Sequence, residues 1–148
     1  MQSLQIRNIM TTINNVSQYL LENNIKPSVQ RLKIFSFLMN TKEHPTVETI
    51  FSSLSEEIPT LSKTTVYNTL KLFISKKIVN IVNIEDNETR YDWDTSFHGH
   101  FKCNMCGSVS DFHINSSTLA FTELNGYQIN ESHYYLKGIC RNCLAKMN

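Results

Sequence analysis

Apolar positions recur through the first half of the chain with helical spacing. Ile13, Val16 and Leu20 form one stripe, which ends in the polar Glu22-Asn23-Asn24. Pro27-Ser28 predicts the start of a second helix, with Ser28 as its N-cap and Leu32, Phe35, Leu38 and Met39 along one face. After a loop from Thr41 to Pro45, Thr46 is placed to cap a third helix. There Val47, Ile50, Phe51 and Leu54 stand at i, i+3, i+4 and i+7. Pro59 breaks the chain, and Ser62 caps a fourth helix that runs to about Ser75. Residues 1–11 show little periodicity and read as a loose arm.

The period then changes. Ile78 to Ile84 is rich in β-branched residues, Glu85-Asp86-Asn87-Glu88 reads as a turn, and Thr89 to Trp93 returns as a strand. Helices closed by a two-stranded hairpin predict a winged helix-turn-helix over residues 1–93, with 94–97 as a hinge. Residues 98–148 predict a small α/β domain. Its expected elements are strands at Gly99–Cys103 and Ser108–Ile114, a short helix from about Ser116 to Leu124, and a strand from Tyr127 to Ile139.

Composition narrows the classes. Hydrophobic residues make up 41% and charged residues only 18%, which suits packed domains and argues against disorder. The chain has neither an apolar run long enough to span a membrane nor the pattern of a secretory signal at Met1 to Val16, so a cytoplasmic location is expected. The net charge of +1 hides an asymmetry: residues 1–80 hold nine Lys/Arg and five Asp/Glu, residues 81–148 five and eight. The first half thus suits a polyanion and the second suits cations.

All four cysteines fall in two C-x-x-C pairs, Cys103/Cys106 and Cys140/Cys143. In a reducing compartment such pairs hold metal more often than they form disulfides, and four thiolates suit a closed tetrahedral Zn²⁺ site. His98-Gly99-His100 and Asp111 lie beside the first pair and remain free to build a second, chemically different site. One permanent and one responsive metal point to a sensor. His113 and His133 read as ordinary strand residues.

On the fourth helix, Val66, Leu70 and Phe73 form the buried stripe. Lys63, Thr64, Tyr67, Asn68 and Lys71 share the opposite face, which can touch phosphates, base edges and thymine methyls in a major groove. Arg31 reads as a phosphate clamp or an exposed arginine. Lys76 and Lys77 add phosphate contacts or neutralise the helix C-terminus.

Taken together, Ser28-Val29-Gln30-Arg31, His44-Pro45-Thr46, Thr64-Thr65-Val66-Tyr67-Asn68, Arg90-Tyr91-Asp92, His98-Gly99-His100 and both C-x-x-C pairs resemble the ferric uptake regulator (Fur) superfamily. The resemblance covers nearly the whole length. It implies a homodimer of bacterial metal-dependent repressors, each chain having an N-terminal winged helix and a C-terminal α/β dimerisation domain, on a palindromic double-stranded operator. It also implies a regulatory site at His44, Asp92, His98, His100 and Asp111. Alternation puts Asp94 on the same face as Asp92 and does not separate the two. Three nitrogens and two oxygens without a thiolate suit Fe²⁺ or Mn²⁺.

Within the superfamily the chain is most similar to the peroxide-sensing branch (PerR), which uses aspartate where many iron sensors have glutamate. That branch implies oxidation of a ligating histidine, His44 or His98. Alternatives are an iron-status repressor and, less favoured because the regulatory set lacks cysteine, a zinc-uptake repressor. An enzyme is not expected, since neither a nucleophile–base motif nor a phosphate-binding glycine loop is present. A Cys₄ iron redox centre would sit poorly with the residues between the pairs, 107–139, which are long for a compact ribbon.

Overall fold

The computed structural model describes residues 13–41, 43–115, 117 and 119–148. The arm expected over residues 1–11 lies outside the described residues. The chain divides into two compact units, the first ending at Ser96 and the second spanning Phe97–Asn148.

The first unit contains α1 (Ile13–Glu22), α2 (Val29–Asn40), α3 (Val47–Leu54) and α4 (Lys63–Ser75), followed by β1 (Asn80–Val82) and β2 (Arg90–Asp92). Three caps set the helix starts as expected. The hydroxyls of Ser28, Thr46 and Ser62 accept from the backbone N–H of Arg31, Thr49 and Thr65 at 3.3, 3.1 and 3.0 Å. Each satisfies an N–H that has no partner within its own helix. Helix α4 ends on Lys77, whose φ of 59° is left-handed. Lys77 N–H then donates to Ile74 O and Ile78 N–H to Phe73 O, closing the last turn.

The helices meet over Val16, Leu20, Ile34, Phe35, Leu38, Ile50, Val66, Leu70 and Phe73. Phe35 packs edge-on against Phe73 with ring centres 5.5 Å apart, and Tyr19 stacks on Phe35 at 5.3 Å. Each such side chain contributes about 1.5–3 kcal/mol by leaving water. Ile78 and Val79 close this core just before the hairpin, so β1 is shorter than the apolar run suggests. Strands β1 and β2 pair antiparallel, with Asn80 opposite Asp92 and Ile81 opposite Tyr91. Helices followed by this hairpin make a winged helix.

The second unit is built on a three-stranded sheet of order β4-β3-β5: β3 (Gly99–Cys103), β4 (Val109–Phe112) and β5 (Tyr135–Gly138). Strand β3 runs antiparallel to β4 and parallel to β5. Two expectations need correction. Among the described residues of the stretch read as a helix from Ser116 to Leu124, the regular element is a single 3₁₀ turn at Thr122–Leu124. The strand read over Tyr127–Ile139 is confined to Tyr135–Gly138. Tyr127 and Ile129 are 70% and 54% exposed, so no layer of this unit packs on them and their apolar character does not fix a ladder. A final helix, α5 (Arg141–Met147), was not anticipated. It is short, and of its side chains only Cys143 is buried, which leaves no apolar stripe to read.

Candidate metal centres and nucleic-acid interface

The four cysteines come together in the second unit. Cys103 ends β3 and Cys106 follows in a tight turn, closed by Gly107 N–H on Cys103 O at 3.0 Å with Gly107 at a φ of 72°. Cys140 and Cys143 sit at the entrance and in the first turn of α5. All four thiols are free, and their sulfurs lie within 4.8 Å of one another. Cys106 Sγ and Cys140 Sγ are 3.8 Å apart, far beyond a disulfide. Tetrahedral Zn²⁺ with bonds of about 2.3 Å would hold its sulfurs about 3.8 Å apart, so the residues fit that ion.

Electrostatics agrees with this. Backbone N–H groups of Cys106 and Cys140 donate to Cys103 Sγ and draw its pKa down to about 6. Cys143 is pushed up to about 12, first because its S–H hydrogen-bonds the Cys140 side chain and then by burial, with a smaller like-charge conflict against a Cys103 thiolate. A divalent cation removes that conflict.

At the start of β3, His100 and the preceding His98 flank Gly99, and their Nε2 atoms are 3.1 Å apart. Asp111 faces them from β4, where it pairs with His100; its Oδ1 lies 3.6 Å from His98 Nε2 and 3.5 Å from His100 Nε2. Both imidazoles are nearly buried. Adjacent positions around a cation with bonds of about 2.1 Å are about 3 Å apart, so two nitrogens and one oxygen are gathered at coordination spacing.

In the first unit, His44 Nε2 lies 3.4 Å from Asp92 Oδ2, and both side chains are buried. The cause is local. Tyr91 N–H donates to Pro45 O at 3.0 Å, and Arg90 Nη1 donates to His44 O at 2.9 Å. Glu85 holds Arg90 from its other edge, 2.9 Å from Nε. The loop before α3 is thereby fastened to β2, and its histidine to Asp92. Arg90 is the positioning residue that reading the motif did not isolate; its place two residues before Asp92 was the available signal. The geometry also separates the two aspartates. Asp92 meets His44, whereas Asp94 Oδ1 accepts from Ser96 N–H at 3.0 Å and Ser96 Oγ at 2.6 Å.

Helix α4 presents Lys63, Thr64, Tyr67, Asn68 and Lys71 on its exposed face, with Val66, Leu70 and Phe73 fully buried behind them. Lys63 also pairs with Glu48 Oε2 at 2.5 Å and lies over the Phe51 ring, 5.6 Å from its centre. Arg31 is half-buried and donates to Lys26 O at 2.7 Å. Lys76 and Lys77 are exposed beyond α4. His113 and His133 are exposed too, and His133 Nε2 stands 3.3 Å from Glu131 Oε2.

A winged helix, a four-thiol cluster and a separate His/Asp cluster define the class of metal-responsive DNA-binding regulators. Residues 22–137 match the profile of the ferric uptake regulator family. Over 130 residues the chain is 30% identical to the peroxide operon regulator of Bacillus subtilis, covering 86% of this chain and 90% of that protein. It is 28% identical to the peroxide-responsive repressor PerR of Staphylococcus saprophyticus over 145 residues, 96% and 93% of the two chains.

Among solved structures, PerR of Streptococcus pyogenes matches at 30% identity and a TM-score of 0.51, over 88% of this chain and 92% of that one. The Vibrio cholerae ferric uptake regulator matches at 26% and 0.69, over 84% and 98%. The chain belongs to the ferric uptake regulator family. It is a metal-responsive transcriptional repressor whose α+β fold joins a winged helix-turn-helix to that family's dimerisation domain.

Proposed function

We propose that this chain is a peroxide-sensing repressor that binds a palindromic operator as a homodimer. In this reading Cys103, Cys106, Cys140 and Cys143 hold a structural Zn²⁺. His98, His100 and Asp111, joined by His44 and Asp92, hold a regulatory Fe²⁺ or Mn²⁺. The observation that carries it is the thiol-free set of His98, His100 and Asp111 at coordination spacing. The likeness to two peroxide-responsive repressors supports it further.

An ion shared by the five residues would tie the loop of His44 to the second unit. Metal biases the DNA-binding form only by binding it more tightly; a hundredfold preference is about 2.7 kcal/mol. Bound Fe²⁺ would supply the one-electron redox chemistry that activates peroxide, with the ligating imidazole as the net donor of two electrons; Mn²⁺ does not do this readily. One peroxide oxygen ends on a ring carbon of His44 or His98 and the other leaves as water. The altered ring is a poorer ligand and the regulatory ion is lost. Arg31, Lys63, Thr64, Tyr67, Asn68 and Lys71 supply the operator contacts.

The test is operator binding with Mn²⁺, Fe²⁺ and Zn²⁺, each with and without peroxide, followed by peptide mass spectrometry. Release confined to the iron form, with one added oxygen on a His44 or His98 peptide, is the expected result. Oxidation of methionines alone overturns peroxide sensing. The likeness to the Vibrio cholerae ferric uptake regulator supports an iron-status repressor as the second reading. Equal DNA binding by the iron form with and without peroxide would select it.

A further inference from the structure

The register of β3 against β4 sets Gly99 opposite Phe112 and His100 opposite Asp111. Side chains alternate along a strand, so Gly99 and Phe112 share one face while His98, His100 and Asp111 share the other. A Cβ on Gly99 would stand 2.2 Å from Phe112 Cζ, 2.5 Å from Cε2 and 2.7 Å from Cε1. The tip of the ring therefore lies directly against the Gly99 backbone.

Conformation does not require glycine here. Among the described glycines, positive φ occurs at Gly107 and Gly126, not at Gly99. What Gly99 provides is space. Gly138 on β5 gives the contrast, because a Cβ there would meet the Phe101 ring at an ordinary 3.5 Å.

Glycine between two ligands carries a cost, since it is the residue with the most backbone freedom. A strand free to flex at Gly99 would let His98 drift from His100. An aromatic ring laid across a strand glycine restores stiffness and keeps water from its peptide. Phe112 is also the next residue after Asp111, so movement of its ring is passed to the carboxylate.

We propose that Phe112, seated on Gly99, is the positioning residue of the His/Asp set. It fixes the spacing of His98, His100 and Asp111 from the reverse face of the sheet and so sets the affinity for a small divalent cation. This rests on reading those three residues as metal ligands.

The full chain, with zinc on its cysteines, is titrated with Mn²⁺ and the free ion followed by electron paramagnetic resonance. Phe112→Ala and Gly99→Ala are each expected to weaken Mn²⁺ binding about tenfold, the usual effect of losing a group that orients ligands. The double variant falls no further than either single one, because both act through the same ring. Phe112→Leu is intermediate, and Gly138→Ala matches the parent. Zinc content and melting temperature stay unchanged in the variants compared; if Phe112→Ala does not keep its zinc, Gly99→Ala and Phe112→Leu decide. Variants that bind Mn²⁺ as tightly as the parent, or single losses that multiply in the double variant, overturn the proposal. A parent chain that takes up no Mn²⁺ overturns the metal-ligand reading itself and this proposal with it, an outcome distinct from a binding parent with indifferent variants.

Discussion

In the first unit Ile34, Phe35, Leu38, Ile50, Val66, Leu70 and Phe73 are withdrawn from solvent almost completely. In the second, the buried side chains of apolar or thiol character among the described residues are Cys103, Val109 and Cys143. Meanwhile Tyr127, Leu136, Leu144 and Met147 are exposed there. The winged helix is thus held by ordinary hydrophobic burial. The sheet unit buries too little for that, and in the function proposed above it relies on thiol–metal bonds and on the second subunit of a dimer. A regulator gains from this division, because the unit that reads DNA can stay rigid while the unit that answers to metal is poised.

Substitutions can break this comparison. Cys103→Ser should have the largest effect. Zinc analysis is expected to fall from one ion per chain to almost none. Hydrogen exchange should show β3–β5 losing protection while α1–α4 keep theirs. Equal loss in both units would mean that they do not stand independently. Phe73→Ala is the reciprocal cut. It should cost the first unit about 3–5 kcal/mol in urea denaturation while leaving zinc in place.

A finer cut is Arg90→Ala, which frees the His44 loop from β2. Calorimetric titration should show Mn²⁺ affinity down about tenfold with α1–α4 unperturbed. An unchanged affinity would assign Arg90 to the wing alone. The smallest effect is a gain. Lys77 is a non-glycine residue at a left-handed helix end, so Lys77→Gly should raise the melting temperature of the first unit by the equivalent of about 0.5–1 kcal/mol.

The same contrast explains what could be read from the residues. Ser28, Thr46 and Ser62 each precede an apolar stripe, and cap and stripe together placed α2, α3 and α4, since these helices pack against one another within one chain. The segment from Tyr127 to Ile139 looks apolar enough for a long strand, yet most of it faces outward, and β-propensity follows neighbours more than intrinsic preference. Cysteine spacing identified the thiol cluster because the motif is local. Asp92 and Asp94 were inseparable by alternation. What distinguishes them is Tyr91 N–H on Pro45 O and Arg90 on His44 O, contacts between residues more than forty positions apart.

Strand β5 lies beside β3 in parallel, and Cys140 and Cys143 complete what Cys103 and Cys106 begin. On the ribosome the central strand therefore emerges ahead of its partner, with residues 107–139 still to come between the two cysteine pairs. At about 5–20 residues per second this leaves a bare thiol pair waiting for roughly two to seven seconds, while the winged helix upstream has had time to fold. A cell short of zinc, or briefly oxidising, would thus meet this protein at its most exposed during manufacture, before the repressor is complete.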